Sequence, residues 1–462
     1  AGRGPANDHD GLIVKVISLL ANLTYNSESN CERIMARDGI ATLEKLMQTF
    51  RYKPSVLEVL FVTFNNICFV SAENKLIIGR RCADEIVAVI GDHATQAKLV
   101  IKALKAVGNL TTEDECVTIV IKEGVIKVIV AGMTASPEDH QLQLVSIQVI
   151  ANLASAGIDL DEDLLEEHPD AHDRTVAHTI FREGGAHAIL AVAQKSIDDT
   201  NLLLPALAGL EHVCEDVDTA EKLAPHGLID LVISIMKEHD QDPDIIDPTI
   251  ELAGTLCECD PCAAELVNKG VLPLLVSLMK ELSDDVPHLL VNGAISLACI
   301  AGMRQFSAQL VATGCIEALA KFIQENSEGE MDDEQKFIIE ALKTMTEVAK
   351  DVDFRIHVGE KSLASIIKVC RRKIKDPDIL DAAFTAISII SFEKSNVARI
   401  VKLGGINVIM MAIAKNSREE DLMVRAIKTI DHIANGDPSY SLLVVKCGGK
   451  TMITKIQVRC FF

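Results

Sequence analysis

The chain has 462 residues, 48% hydrophobic and 24% charged, with 67 acidic and 45 basic side chains for a formal net charge of −22. That length excludes a single compact globule and calls for several domains or a repeat. A field this acidic argues against nucleic acid or anionic membrane as the main partner. Aromatic residues are only 3% and Trp is absent, so Leu, Ile, Val and Ala must do the packing, which suits many small helix–helix contacts.

Thirteen Cys fall mostly inside apolar runs such as Ile67-Cys68-Phe69 and Leu297-Ala298-Cys299. An odd count of this kind points to a reducing compartment, hence cytoplasm, with nucleus or ciliary axoneme as further options. The opening AGRGPANDHD resembles neither a signal nor a transit peptide. No uninterrupted apolar run reaches the roughly 18 residues of a membrane span.

In chain order, residues 1–10 are expected to be disordered, and 11–24 read as a long apolar helix. A short helix over Asn30–Met35 then meets the turn Arg37-Asp38-Gly39-Ile40, and a second helix follows over 40–46. The next turn is degenerate, near Arg81-Cys82-Ala83-Asp84, and a third, more apolar helix spans 98–110. The turn recurs at Gly124, Gly184, Gly227, Gly270, Gly314, Gly404 and Gly448, with a Gly-free version near Glu360-Lys361-Ser362. From Gly184 the steps are 43, 43 and 44, and from Gly404 to Gly448 the step is 44. The steps of 85 (Gly39 to Gly124) and 90 (Gly314 to Gly404) are two periods each. Gly permits the sharp reversal, and Asp, Glu or Asn near helix starts matches N-cap chemistry.

Only the step from Gly124 to Gly184 is long, at 60, because of an acidic insertion over 157–178. Its Asp159, Asp161 and Asp163 mimic the start of a calcium loop, but Leu164 and Asp170 stand where that loop needs Gly and Glu. A solvated acidic loop is the expectation here and again at Glu325–Glu334. Cys257, Cys259 and Cys262 cluster without a fourth ligand at a usable spacing, so they are expected to be structural. No nucleophile motif, phosphate-binding Gly loop or zinc-protease helix occurs, and no metal or cofactor is called for.

Segments such as GVIKVIVAGM, GLIDLVISIM and GVLPLLVSLM, followed by ALKAVGNLTT, SIQVIANLAS or ISLACIAGM, resemble armadillo repeats at the period that family shows. The resemblance spans 11–455, leaving 456–462 as a tail. It implies an all-α, right-handed superhelical solenoid of about ten armadillo repeats whose third helices line a concave groove.

Asn22, Asn66, Asn109 and Asn152 close four successive third helices at spacings of 44, 43 and 43. In the armadillo proteins this chain resembles, Asn at that position bonds the main chain of an extended peptide, an amide offering both donor and acceptor. The alternative is that each Asn bonds local backbone and fixes the joint between repeats. Beyond residue 152 the aligned positions are Gly209, Thr255, Cys299, Glu347 and His432, so the ladder lapses. One turn before the Asn positions stand Ser18, Val62, Lys105 and Gln148. The stacked Trp of the nuclear-import adaptors is missing, and that function is rejected. Lys98, Lys102 and Lys105 suit an acidic ligand segment, as in the catenin-like branch, or form a solvated face.

Neither end carries a polar cap, which predicts a longer chain or a neighbouring protein over the ends. The expected function is a non-catalytic adaptor. It holds an extended or helical protein segment in its groove within a larger assembly, such as a ciliary or cytoskeletal docking complex. The alternative is a cochaperone or regulator gripping an ATPase or small GTPase.

Overall fold

A computed structural model describes residues 7–158, 160, 175–282, 287–325, 332–435 and 437–447. Every element among them is a helix. The chain divides into two compact units, Ala1–Leu231 and Val232–Phe462. In the first, the third helices Asn7–Thr24, Pro54–Cys68, Ala97–Leu110, His140–Ala154 and Thr200–Cys214 pack each on the next. In the second the same holds for Pro243–Cys257, Pro287–Gly302, Asp332–Lys350, Pro377–Ile390 and Glu420–Ala434.

Local chemistry sets where these helices begin. Asp139 and Asp376 sit at N-caps and accept hydrogen bonds from the backbone N–H of Leu142 and Ile379. Pro54, Pro243 and Pro377 occupy the first helical turn, where a missing N–H costs nothing. The first helix starts at Asn7, so the expected disorder over 1–10 is corrected from residue 7 onward. Lys53 of the following repeat pairs with Asp10 at 2.8 Å and ties that start down.

Burial follows the helical period. Helix Ala97–Leu110 buries Leu99, Val100, Ile101, Ala103, Leu104, Ala106, Val107 and Leu110. The stripe left exposed (Lys98, Lys105) or half-buried (Lys102, Asn109) falls at i, i+4, i+7 and i+11.

The reversals between first and second helices use left-handed backbone. Gly270 has φ +89° where Asp260–Asn268 bends by 81° into Val271–Leu282. Gly404 has φ +78° at a 69° bend between Lys394–Lys402 and Gly405–Lys415. A side chain there would cost about 1–2 kcal/mol. At Gly39 the expectation needs correcting. Asp38 carries the positive φ, 51°, and Gly39 is needed instead because Ile34 packs against its α-carbon.

The two turns expected without Gly do not exist. Residues 81–84 lie inside one 21-residue helix, Ala72–Asp92, and residues 360–362 lie inside another, Val352–Arg372, also of 21. Gly79 and Gly359 stand just before these stretches but keep helical backbone, and their missing side chains instead make room for Cys116 and Asn396 of the following helices. Each helix therefore propagates through, every further residue adding a hydrogen bond at little cost. The acidic loop expected at Glu325–Glu334 is also corrected in part. Asp332, Asp333 and Glu334 form the first turn of a helix, where negative charge faces the positive end of the dipole. Positions 326–331, most of the insertion 157–178 with its calcium-like Asp159, Asp161 and Asp163, and the tail 456–462 lie outside the described residues.

Candidate partner-binding groove

In the first unit the exposed or half-buried stripes of successive third helices lie side by side, because each helix packs on the next. The ladder amides end these stripes, yet they are not equivalent. Asn22 and Asn152 are exposed. Asn66 is half-buried, and its Nδ2 donates to the Ala21 carbonyl at 2.8 Å and to Thr24 Oγ1 at 3.0 Å. Asn109 Nδ2 donates to Asn65 Oδ1 at 3.1 Å, and Asn65 Nδ2 donates to the Lys102 carbonyl at 3.4 Å. The amides of Asn66 and Asn109 therefore knit one repeat to the one before.

That wiring has a measurable consequence. Asn66→Ala removes two inter-repeat bonds and leaves Thr24, 1% exposed, short of a donor. It is expected to lower the stability of the first unit by about 1–2 kcal/mol. Asn22→Ala, at an exposed position, should change it by less than about 0.5 kcal/mol. Urea denaturation of both variants measures the difference; equal midpoints would contradict the assignment.

The lysines also behave differently from a free basic patch. Glu58 of helix Pro54–Cys68 accepts from both Lys98 (3.0 Å) and Lys102 (2.9 Å). Lys105 is exposed and has no ion pair among the described residues. Burial pushes the Glu58 carboxyl up, but the bonds from Lys102 and Lys98 outweigh it, and its pKa lies below the ordinary value. The folded-state pKa is the lower one. The stabilisation is therefore present above the unfolded pKa of about 4.3 and fades as pH falls through the folded value. Glu58→Gln should accordingly flatten the acid limb of a stability–pH curve measured by denaturation, and a limb as steep as the parent's would contradict this.

Beside the amides lies a cleft of about 590 Å³, lined by Tyr25, Glu28, Asn65, Asn66, Phe69 and Asn109 together with Thr24, Asn26, Ser27 and Val70. Tyr25 is 69% exposed and Phe69 80%. Both follow their ladder Asn by three residues and are 44 apart, the same step as Asn22 to Asn66. The sequence reading missed them, although this shared step was the signal that could have found them. In the second unit a larger cleft, about 1220 Å³, runs along helices Asp332–Lys350, Pro377–Ile390 and Glu420–Ala434. Charged residues of both signs line it, and Arg425 is ion-paired there with Asp381.

Thiols and possible metal ligands are quickly placed. Cys257, Cys259 and Cys262 are all buried, and burial drives the Cys257 thiol far above its usual range beside Ser296 and Cys299. A thiolate, the form that binds metal or attacks, is thereby disfavoured. Among the described residues one group, Glu211, His212 and Glu215, brings three ligand atoms within 4.8 Å of one another. His212 Nδ1 lies 2.9 Å from Glu211 and 3.1 Å from Glu215, and that pairing accounts for the arrangement.

Repeating helical triplets, glycine reversals and stacked third helices define an armadillo-like helical-repeat fold. Two solved structures agree. An engineered protein superposes with a TM-score of 0.73 at 17% identity, over 91% of this chain and 94% of that one. A β-catenin structure, from work on a phosphorylation switch controlling its interaction with cadherin, gives 0.68 at 11%, over 94% and 82%. A designed armadillo repeat protein matches 53% of this chain and 99% of its own length at 18% identity, with a TM-score of 0.45. No family model matches the chain, and no curated relative does.

Proposed function

We propose that the chain is a non-catalytic binding scaffold and that the third-helix face of its first unit holds an extended segment of a protein partner. The observation that carries this reading is the run of exposed or half-buried stripes ending in amides every 43 or 44 residues. An extended main chain repeats its donors and acceptors regardless of side chains, and a row of amides on adjacent helices can serve it at regular intervals. Asn22 and Asn152, with exposed side chains, offer both amide functions outward. Asn66 and Asn109 contribute what their inter-repeat bonds leave. Lys105 adds positive charge at the centre, whereas Lys98 and Lys102 share the single carboxylate of Glu58, which offsets one of their two charges. That lowers the expected preference for an acidic ligand. The β-catenin structure, which comes from work on a β-catenin–cadherin interaction, supports the reading by fold likeness. Membership of a larger cytoplasmic or axonemal assembly is part of the same proposal.

A photo-crosslinking side chain tests it. Placed at Lys105, on the stripe, it should label a partner from the native source, with contacts spread along an extended segment. Placed at Lys127 of the second helix Val125–Ala135, it should not. Equal labelling from both positions, or a globular ATPase or GTPase held at neither, would overturn the groove assignment.

A further inference from the structure

We propose that the cleft at Tyr25 and Phe69 is a receptor for an arginine side chain of the partner segment: a guanidinium stacks on Phe69 at the C-terminal end of helix Asn7–Thr24, with Glu28 as its counter-charge. The proposal rests on the groove reading for how the arginine arrives, and on separate observations for what the cleft accepts.

The chain builds the same arrangement for itself in its second unit. Ser388 bonds His432, 44 residues ahead, at 3.3 Å, just as Asn65 is bonded by Asn109, also 44 ahead, at 3.1 Å. Four residues beyond Ser388 comes Phe392; four beyond Asn65 comes Phe69. The guanidinium carbon of Arg355 sits over the Phe392 ring, 5.5 Å from its centroid. Arg355 Nε donates to the Ala349 carbonyl at 2.9 Å and Nη2 to the Lys350 carbonyl at 3.1 Å, at the end of the preceding third helix. A flat cation is thus held between an aromatic face and the negative end of a helix dipole.

In the first unit the helix end and the aromatic ring recur, beside a cleft, but the guanidinium does not. Arg355 stands four residues past the N-cap Asp351; four past the N-cap Ser27 stands Cys31. Cys31 is fully buried, its Sγ facing the Thr24 carbonyl at 3.5 Å, and it reaches no aromatic face. Glu28 is the one charged residue lining the cleft, so the charge it complements is positive. Phe69, at 80% exposure, leaves a ring face in water that a stacked guanidinium would cover. Arg fits better than Lys because its plane stacks on the ring while its edge donors reach Glu28 and the amides.

The test is selection of random short peptides displayed on phage against the full chain, followed by fluorescence anisotropy with one selected peptide. Selected peptides should share an arginine. Arg→Gln in the peptide should weaken binding about five- to tenfold. Phe69→Leu should do the same and should make the peptide's Arg→Gln change nearly silent. Because Phe69 is exposed, Phe69→Leu is expected to melt like the parent, which circular dichroism checks. Peptides that lose affinity with Asn109→Ala but ignore both Phe69→Leu and Arg→Gln would overturn the arginine receptor and leave the groove reading standing. Peptides that depend on Phe69 and arginine but ignore the amide changes would uphold the receptor and overturn the amide ladder. Failure to select any peptide would overturn both.

Discussion

Phe64→Ala is expected to lower the stability of the first unit by about 3–5 kcal/mol, the usual cost of emptying an aromatic position in a packed core. Phe64 is fully buried in helix Pro54–Cys68, beside the equally buried Phe61 at 6.4 Å between ring centroids. That helix is held between Asn7–Thr24 and Ala97–Leu110, so the cavity weakens two joints at once. In a stack where each repeat touches only its neighbours, the damage should stay local. Hydrogen exchange followed by mass spectrometry should show faster exchange in those three helices and little change in Pro377–Ile390. A uniform rise in exchange across both units, or a loss below about 1 kcal/mol, would contradict nearest-neighbour packing as the source of stability.

Asp84→Pro should cost about 3 kcal/mol or more, because residue 84 lies inside one continuous helix, Ala72–Asp92. Proline removes the N–H that bonds four residues back and drives its ring into that carbonyl. Asp84 is exposed, so Asp84→Ala serves as the control and should stay within about 0.5 kcal/mol of the parent. Were the chain to reverse near Arg81–Asp84, as the repeat beat alone suggests, the proline would be tolerated. Thermal melts of the two variants separate the cases: equal melting temperatures mean a turn, and a clear drop for proline alone means a helix.

These two variants also mark how far the sequence could be read. The period was legible because glycine is needed wherever the first and second helices reverse, as at Gly270 and Gly404, and that need leaves a residue at a fixed step. The continuous helices through Asp84 and Lys361 were not legible as such, because a glycine that only makes room for a neighbour, as Gly79 does for Cys116 and Gly359 for Asn396, reads the same in sequence as one in a degenerate turn. The Asn ladder was legible as spacing but not as bonding. Asn66 reaches back to Ala21 and Thr24 while Asn22 faces solvent, and nothing local to either residue separates the two behaviours. The ion pairing of the basic stripe was not legible, for a long-range reason. Glu58, which pairs with Lys98 and Lys102, lies 40 and 44 residues upstream and comes near them only once adjacent third helices stack in register. Tyr25 and Phe69 escaped notice because each closes an apolar run, where an aromatic residue reads as core; only the folded chain shows them in water.

The most direct measurement is a crystal structure of the full chain with a selected arginine-bearing peptide. The expected result is an extended peptide across the third helices of the first unit. Its main chain would lie within hydrogen-bond reach of Asn22 or Asn109, and its guanidinium within about 6 Å of the Phe69 ring centroid. A peptide seated on the second helices, or on the groove face with its arginine pointing to solvent away from Phe69, would contradict the account.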